Sequence, residues 1–312
     1  MIHYLREGMT KHHLPIAFAL VGIFVYGNIV SAQMSSSSFL IRWDSVNAGG
    51  SDSASSSSYQ LRDTVESVVA GRTSSTSYNL DQGYRGGVFD QVISFDLRTQ
   101  NLSTGREATA LSSLIVTVGS VSGISVGDYV ALLQNRGVSQ ISAIGKVTTV
   151  GSTTLTVDSW TNGGTAPTID GTNDYIYVLS GSTVSFGTLS DSSVSTAIVS
   201  FEVSADSTSG YAVQINDDGN LRSGADDIND ISDGTVSEAV EEFGARSSDT
   251  SLSSSTFDTA DSAITTSRQD VVTNGSVSIA DRSFVTLKAS ISTSTTAGSY
   301  GNAISFIASG NF

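Results

Sequence analysis

The densest chemically capable feature of this chain is acidic. Between residues 202 and 270 fifteen Asp and Glu face only Arg222, Arg246 and Arg268. Two glycine-punctuated stretches concentrate them, Asn216-Asp217-Asp218-Gly219-Asn220 and Asp226-Asp227-Ile228-Asn229-Asp230-Ile231-Ser232-Asp233-Gly234. Calcium takes about six to eight oxygen ligands from carboxylates, amides and carbonyls. Asp226, Asp227, Asn229, Asp230 and Asp233 are therefore candidate calcium ligands, and calcium is the one cofactor the residues suggest. No Glu follows at the position that closes an EF-hand loop. The same content equally suits a solvated loop in which Asp and Asn simply favour turns.

Other chemistry is scarce. All three histidines, His3, His12 and His13, lie in the first thirty-two residues, and the chain has no cysteine. Beyond that segment a Ser-His-Asp triad, a thiol nucleophile, a His or Cys zinc site and a disulfide are excluded. Glu241 and Glu242 are adjacent, so on a strand or a helix they diverge instead of pairing as a glycosidase acid and base. A Ser-Lys dyad would need Lys146 or Lys288, and both read as solvent-facing strand lysines that blunt a sheet edge. Trp160, Tyr175 and Tyr177 could form a sugar-binding platform, or be ordinary core and rim aromatics. The expectation is a protein that is not an enzyme.

The elements that would carry these residues begin with a leader. Arg6 and Lys11 precede an apolar run from Ile16 to Val30, short for a membrane span. Val30-Ser31-Ala32 has the small residues of a cleavage site, so residues 1–32 read as a secretory signal peptide; an uncleaved anchor is the alternative. The formal charge is −15, and removing Arg6, Lys11 and Glu7 with the leader makes it −16. Such a chain is not expected to bind nucleic acid or an anionic membrane. Only 14% of residues are charged while 38% are hydrophobic. The remainder is dominated by Ser, Thr and Gly, a composition of extended structure with a polar face.

Residues 33–90 repeat a serine run followed by a short alternating strand. Ser35 to Ile41 is echoed by Ser55 to Leu61 and again by Ser74 to Leu80. Phe39, Ile41 and Trp43 would share one strand face, a candidate donor strand for assembly. A plain serine-rich linker is the alternative. Residues 91–180 read as a small β-barrel-like unit: Val92 to Leu97, then five short strands at 114–118, 129–133, 141–147, 154–157 and 175–179. Val126-Gly127-Asp128-Tyr129-Val130 is similar to the turn-and-strand entry of an SH3-like barrel. Residues 181–312 read as a C-terminal β-sandwich. There Val184 and Phe186, then Val199, Phe201 and Val203, then Tyr211, Val213 and Ile215 line one face of successive strands. Val285, Leu287, Ala289 and Ile291 alternate against Phe284, Thr286, Lys288 and Ser290, as in an antiparallel sheet solvated on one side. One helix is expected, from Thr235 to Phe243, with Ser237 as its cap. The fold class is thus all-β: an antiparallel β-sandwich, a barrel-like insertion or separate domain, and an N-terminal serine-rich β-repeat region.

The string Ser209-Gly210-Tyr211-Ala212-Val213-Gln214-Ile215, then Gly219-Asn220-Leu221-Arg222, Ile231-Ser232-Asp233-Gly234, Glu242-Phe243-Gly244, Thr286 to Ile291 and Ala297 to Phe312, resembles uncharacterised secreted proteins of ultra-small host-dependent bacteria. The sandwich also looks distantly like fimbrial and spore-coat subunits. The resemblance implies that the Ile93 strand continues into Val184, with residues 100–180 inserted; two sequential domains is the alternative. It brings no activity with it. Function is expected to be structural or adhesive at the cell surface, through strand-edge assembly with itself or other surface proteins. The rival is an extracellular module binding glycans or a host protein through its loops, and an envelope spacer without a ligand is a third possibility.

Overall fold

A computed structural model describes residues 49–55, 60–65, 71–74, 79–82 and 93–311 of the chain, the first four stretches as backbone strands. Residues 1–32, read above as a signal peptide, and the Phe39, Ile41 and Trp43 segment lie outside the described residues. Two units are distinguished, residues 1–90 and 91–312. In the first, β1 (Gly49–Ser55) pairs antiparallel with β2 (Gln60–Val65), and β3 (Gly71–Ser74) with β4 (Asn79–Gln82). Leu61 and Leu80 of the serine-led repeats sit in β2 and β4.

The second unit is all β apart from one 3₁₀ turn at Leu102–Thr104. No helix among the described residues is long and apolar enough to cross a membrane. Its first strand is β5 (Ile93–Thr99). There follow β6 (Arg106–Ser112), β7 (Ile115–Val118), β8 (Tyr129–Gln134), β9 (Ile141–Val150), β10 (Thr154–Val157), β11 (Thr161–Asn162) and β12 (Tyr175–Leu179). These seven form one sheet in the order β10-β7-β6-β12-β8-β9-β11, and β9 also pairs with β10. Six strands thereby close into a ring, which removes the free edges an open sheet would expose. Closure needs corners. β6 hands over from β12 to β7 across a register shift, and β9 from β8 to β10. At the β9 corner a side chain on Gly145 would meet the Ser159 carbonyl at 2.7 Å, so only glycine fits.

Strand alternation divides the side chains of this barrel between two cores. Val130 and Leu132 on β8, and Ile176 and Val178 on β12, point inward to Val116, Val147 and Leu155. Tyr129, Ala131, Leu133, Tyr177 and Leu179 point outward, and there they meet Ile198 and Phe284 of the neighbouring sheet. Burial on both faces explains why these strands read as continuous apolar runs. Asp174, fully buried, organises the adjoining loops by accepting from the backbone N–H groups of Asn135, Asp170 and Gly171.

The remaining strands are β13 (Ser195–Ala205), β14 (Tyr211–Asp217), β15 (Leu221–Ser223), β16 (Asp226–Ile228), β17 (Glu242–Ser247), β18 (Gln269–Asn274), β19 (Ser278–Ser290) and β20 (Ile304–Gly310). A middle sheet runs β17-β19-β13-β5 and an outer sheet β18-β14-β20, both antiparallel. Val199, Phe201 and Val203 of β13, and Val285, Leu287 and Ala289 of β19, pack against Tyr211, Val213 and Ile215 of β14. Each Val, Leu, Ile and Phe among them contributes about 1.5–3 kcal/mol by leaving water. The chain thus leaves the middle sheet after β5, builds the barrel, and returns at β13 as the neighbour of β5.

Several expectations are corrected. The five-strand estimate for the barrel omitted β6 and β11. Val184 and Phe186 lie outside any strand, in the segment leading to β13. Thr235–Phe243 is not a helix: Val236 is buried, Ala239 takes a φ of 61°, and Glu242 and Phe243 already belong to β17. The face of β19 expected to be solvated is instead covered, with Phe284, Thr286, Lys288 and Ser290 all buried. Neither lysine blunts an edge. Lys288 is buried on the central strand β19. Lys146 lies on β9 between two neighbours, its Nζ 5.3 Å from the Tyr129 ring.

Candidate functional site

The acidic stretch folds as a hairpin and a strap. β15 and β16 pair Leu221 with Ile228 and Arg222 with Asp227 around Gly224, whose φ of 68° suits glycine. Burial of Leu221 and Ile228 sets the register, leaving Asp226 and Asp227 exposed and, as strand neighbours, pointing to opposite faces. Asn229 donates its side-chain amide to Glu241, and Asp233 accepts from the Thr235 N–H. Asp230 is half-buried, with an Oδ1 that has no hydrogen-bond partner. Burial, helped by the nearby Asp217 charge, pushes its carboxyl up to about 6. Asp217 is raised too, first by burial and then by Asp218, although it accepts from the Gly219 N–H and from Asn302. The five proposed ligands are thus spread over a hairpin and a strap. Among the described residues no three acidic side chains come together as a metal-binding group.

The aromatic platform is not assembled either. Trp160 packs against the barrel interior, whereas Tyr175 and Tyr177 lie on the outward face with rings 6.2 Å apart. Tyr177 is buried against the seam with the middle sheet. Glu241 and Glu242 diverge as expected: Glu241 accepts from Asn229 and Thr295, and buried Glu242 from the Ser237 N–H.

At the seam between barrel and middle sheet lies a charged cluster that sequence reasoning missed. Arg282 of β19 makes a bidentate pair with Asp158, which follows β10, at 2.6 and 2.8 Å, and reaches Glu202 of β13 at 3.1 Å. The Tyr129 hydroxyl donates to Glu202 at 2.6 Å, and the Arg98 guanidinium stacks 3.7 Å from the Tyr129 ring. Burial and then the Glu202 carboxylate push the Tyr129 hydroxyl up to about 12. Burial opposes ionisation of Asp158, but Arg282 and the N–H groups of Lys146 and Ser159 prevail and hold it down to about 2. Every charge here has a partner, so the cluster reads as a fastening of barrel to sandwich.

What remains open is a cleft at one end of the sandwich. Its floor crosses the middle sheet through Leu97, Val199, Leu287 and Phe243, and its walls are residues 182–189, residues 295–303, and Ile304 and Phe306 of β20. It has a volume of about 970 Å³. The wall segment 184–189 forms no strand pairing, yet its Phe186 reaches in to meet the Phe243 ring edge-on at 6.2 Å. Thr183, Ser185, Thr188, Thr295 and Thr296 give the mouth a polar rim. A large cleft lined by partly buried apolar side chains and hydroxyl groups suits a binding site. The only signal for it in the sequence was the Val184, Phe186, Leu189 pattern in a serine- and threonine-rich stretch. No protein-family model, no curated protein and no solved structure matches this chain.

Proposed function

We propose that this is a secreted cell-surface protein with a structural or adhesive role, acting without catalysis by taking an extended apolar segment into the end cleft of its sandwich. The occupant is the Phe39, Ile41 and Trp43 segment of a second copy, so each molecule both gives and receives. The observation that carries this reading is the cleft, whose floor and walls present the partly buried apolar side chains of Leu97, Phe186, Ile304 and Phe306 beneath a hydroxyl-lined rim. A segment with three large apolar side chains at period two matches such a floor, and the unpaired backbone of 184–189 and the outer edges of β5 and β20 can accept strand hydrogen bonds. Contact of this kind is head-to-tail and propagates unless it closes. The rest of the chemistry supports the same role: histidine beyond the leader and cysteine are both absent from the sequence, and the seam carboxylates are bound in ion pairs.

The test compares self-association of the mature chain by light scattering with that of two variants, deletion of residues 33–48 and Phe186→Asp. Both are expected to remain monomeric with the melting temperature of the second unit retained. Undiminished association of the deletion variant sinks strand donation. Retention of defined oligosaccharides on a glycan array, lost in Phe186→Asp, would instead support the glycan-binding rival.

A further inference from the structure

The buried pair formed by Lys288 and Asp261 takes no part in the cleft or the seam cluster. Lys288 lies on the barrel side of β19, and its Nζ sits 3.0 Å from both Asp261 oxygens, hydrogen-bonded to Oδ2. The two side chains are only 6% and 2% exposed. The backbone holds them from both sides. Asp261 donates its N–H to the Gly234 carbonyl, its Oδ2 accepts the Val236 N–H at 3.0 Å, and Lys288 Nζ donates to the Val138 carbonyl at 3.1 Å. Val138 and Val236 belong to a small apolar cluster with Val194 and Ile231. Asp261 Oδ1, although close to the amine, makes no hydrogen bond. Two full charges in such surroundings are held at a heavy desolvation cost, and the oxygen that is ion-paired but not hydrogen-bonded adds to it.

We propose that Lys288 and Asp261 condense into an intramolecular amide that cross-links β19 to the segment between β17 and β18. One proton passes from the ammonium to Oδ1, and the freed Nζ lone pair attacks Cγ. A second proton moves from Nζ to the same oxygen, the Cγ–Oδ1 bond breaks, and water leaves as the Cγ–Nζ bond becomes an amide. Ammonium and carboxylate supply every atom, so no oxidant, reductant or co-reactant is needed. The fixed approach of the two groups replaces the activation that a free amine and acid would require. The surroundings suit the product better than the reactants. Oδ2, now the amide carbonyl, keeps the Val236 N–H, the single remaining N–H keeps the Val138 carbonyl, and the oxygen without a hydrogen bond is the one that departs. A crevice of about 250 Å³ lined by Lys288, Thr286, Val138 and Ser142 receives the released water. In a chain without cysteine the amide fills the place of a disulfide, restricting the unfolded state.

The experiment is mass spectrometry of the purified, denatured full chain and of its tryptic digest. The expected result is an intact mass lower by one water than that of the Lys288→Arg variant corrected for the substitution. Because trypsin does not cut after an amidated lysine, the digest should contain residues 247–268 joined to residues 283–312. A wild-type digest in which residues 247–268 and 283–288 appear as separate peptides overturns the proposal, whether or not the variant folds.

Discussion

The barrel and the sandwich solve the same edge problem differently. In the barrel, β9 pairs with β10 to complete a ring of six strands, and its interior is filled by side chains such as Leu132, Val116 and Leu155. In the sandwich, β5 and β20 are terminal strands of their sheets among the described residues, and the space between the sheets opens as the end cleft. The closed element has used its surface on itself and on the seam. The open one keeps a cleft walled by the unpaired segment 184–189, which is where we propose that assembly occurs. The comparison also teaches where charges can be buried. The seam cluster is ionic, partly exposed and fully partnered, whereas Lys288 and Asp261 are sealed between apolar residues.

The comparison can be broken most forcefully from inside the barrel. Leu132→Ala leaves a cavity in a closed ring and is expected to lower stability by about 2–5 kcal/mol, read from urea unfolding. Because Ala131, Leu133 and Tyr177 share a core with Ile198 and Phe284, barrel and sandwich should still melt in one transition. Trp160 fluorescence in a Trp43→Phe background would follow the barrel and far-UV circular dichroism the whole; two separate midpoints would show that the seam does not couple them. Next in size is the fastening itself. Arg282→Ala removes charge-assisted hydrogen bonds to Asp158 and Glu202 and is expected to lower stability by about 1.5–3 kcal/mol before discount for the partial exposure of Asp158. Asp158 is held below its ordinary value, so its contribution is complete above about pH 4 and is lost as pH falls toward 2. Arg282→Ala should therefore flatten the acid limb of the melting-temperature profile between those values.

The smallest effect concerns Asp230, on the open side. Its folded value, raised to about 6, lies above that of the unfolded chain, so the native state binds the proton more tightly. Ionisation therefore destabilises the fold as pH rises from about 4 to about 6, and the loss persists above. Asp230→Asn should raise the melting temperature modestly at pH 7.5 and leave it unchanged at pH 3.5. A gain of equal size at both values would show that charge burial is not the cause.

How much could be read in advance depended on how local each signal was. Strands β8, β10 and β12 were legible nearly residue for residue, because β-branched and aromatic residues bounded by glycine turns carry both propensity and period. β6, with Arg106, Glu107 and three weak strand formers, was not, since its place comes from closing the ring. β17 was mistaken for helix at its start because Glu241 and Glu242 favour helix, while pairing with β19 decides otherwise. The acidic candidates were visible as a cluster in sequence, but a one-residue step along a strand turns neighbours such as Asp226 and Asp227 to opposite faces.

By itself the chain determined its class and its chemistry: short alternating segments, turns built on glycine, asparagine and serine, no thiol, and no imidazole after His13. These follow from composition and from preferences that act over a few residues. Only the tertiary structure decided that the second face of β19 is covered, that Lys288 meets Asp261 there, that the barrel closes, and that a cleft remains at the end of the sandwich. Each depends on which sheet lies against which, and burial on a face is set by partners distant in sequence that no local pattern encodes.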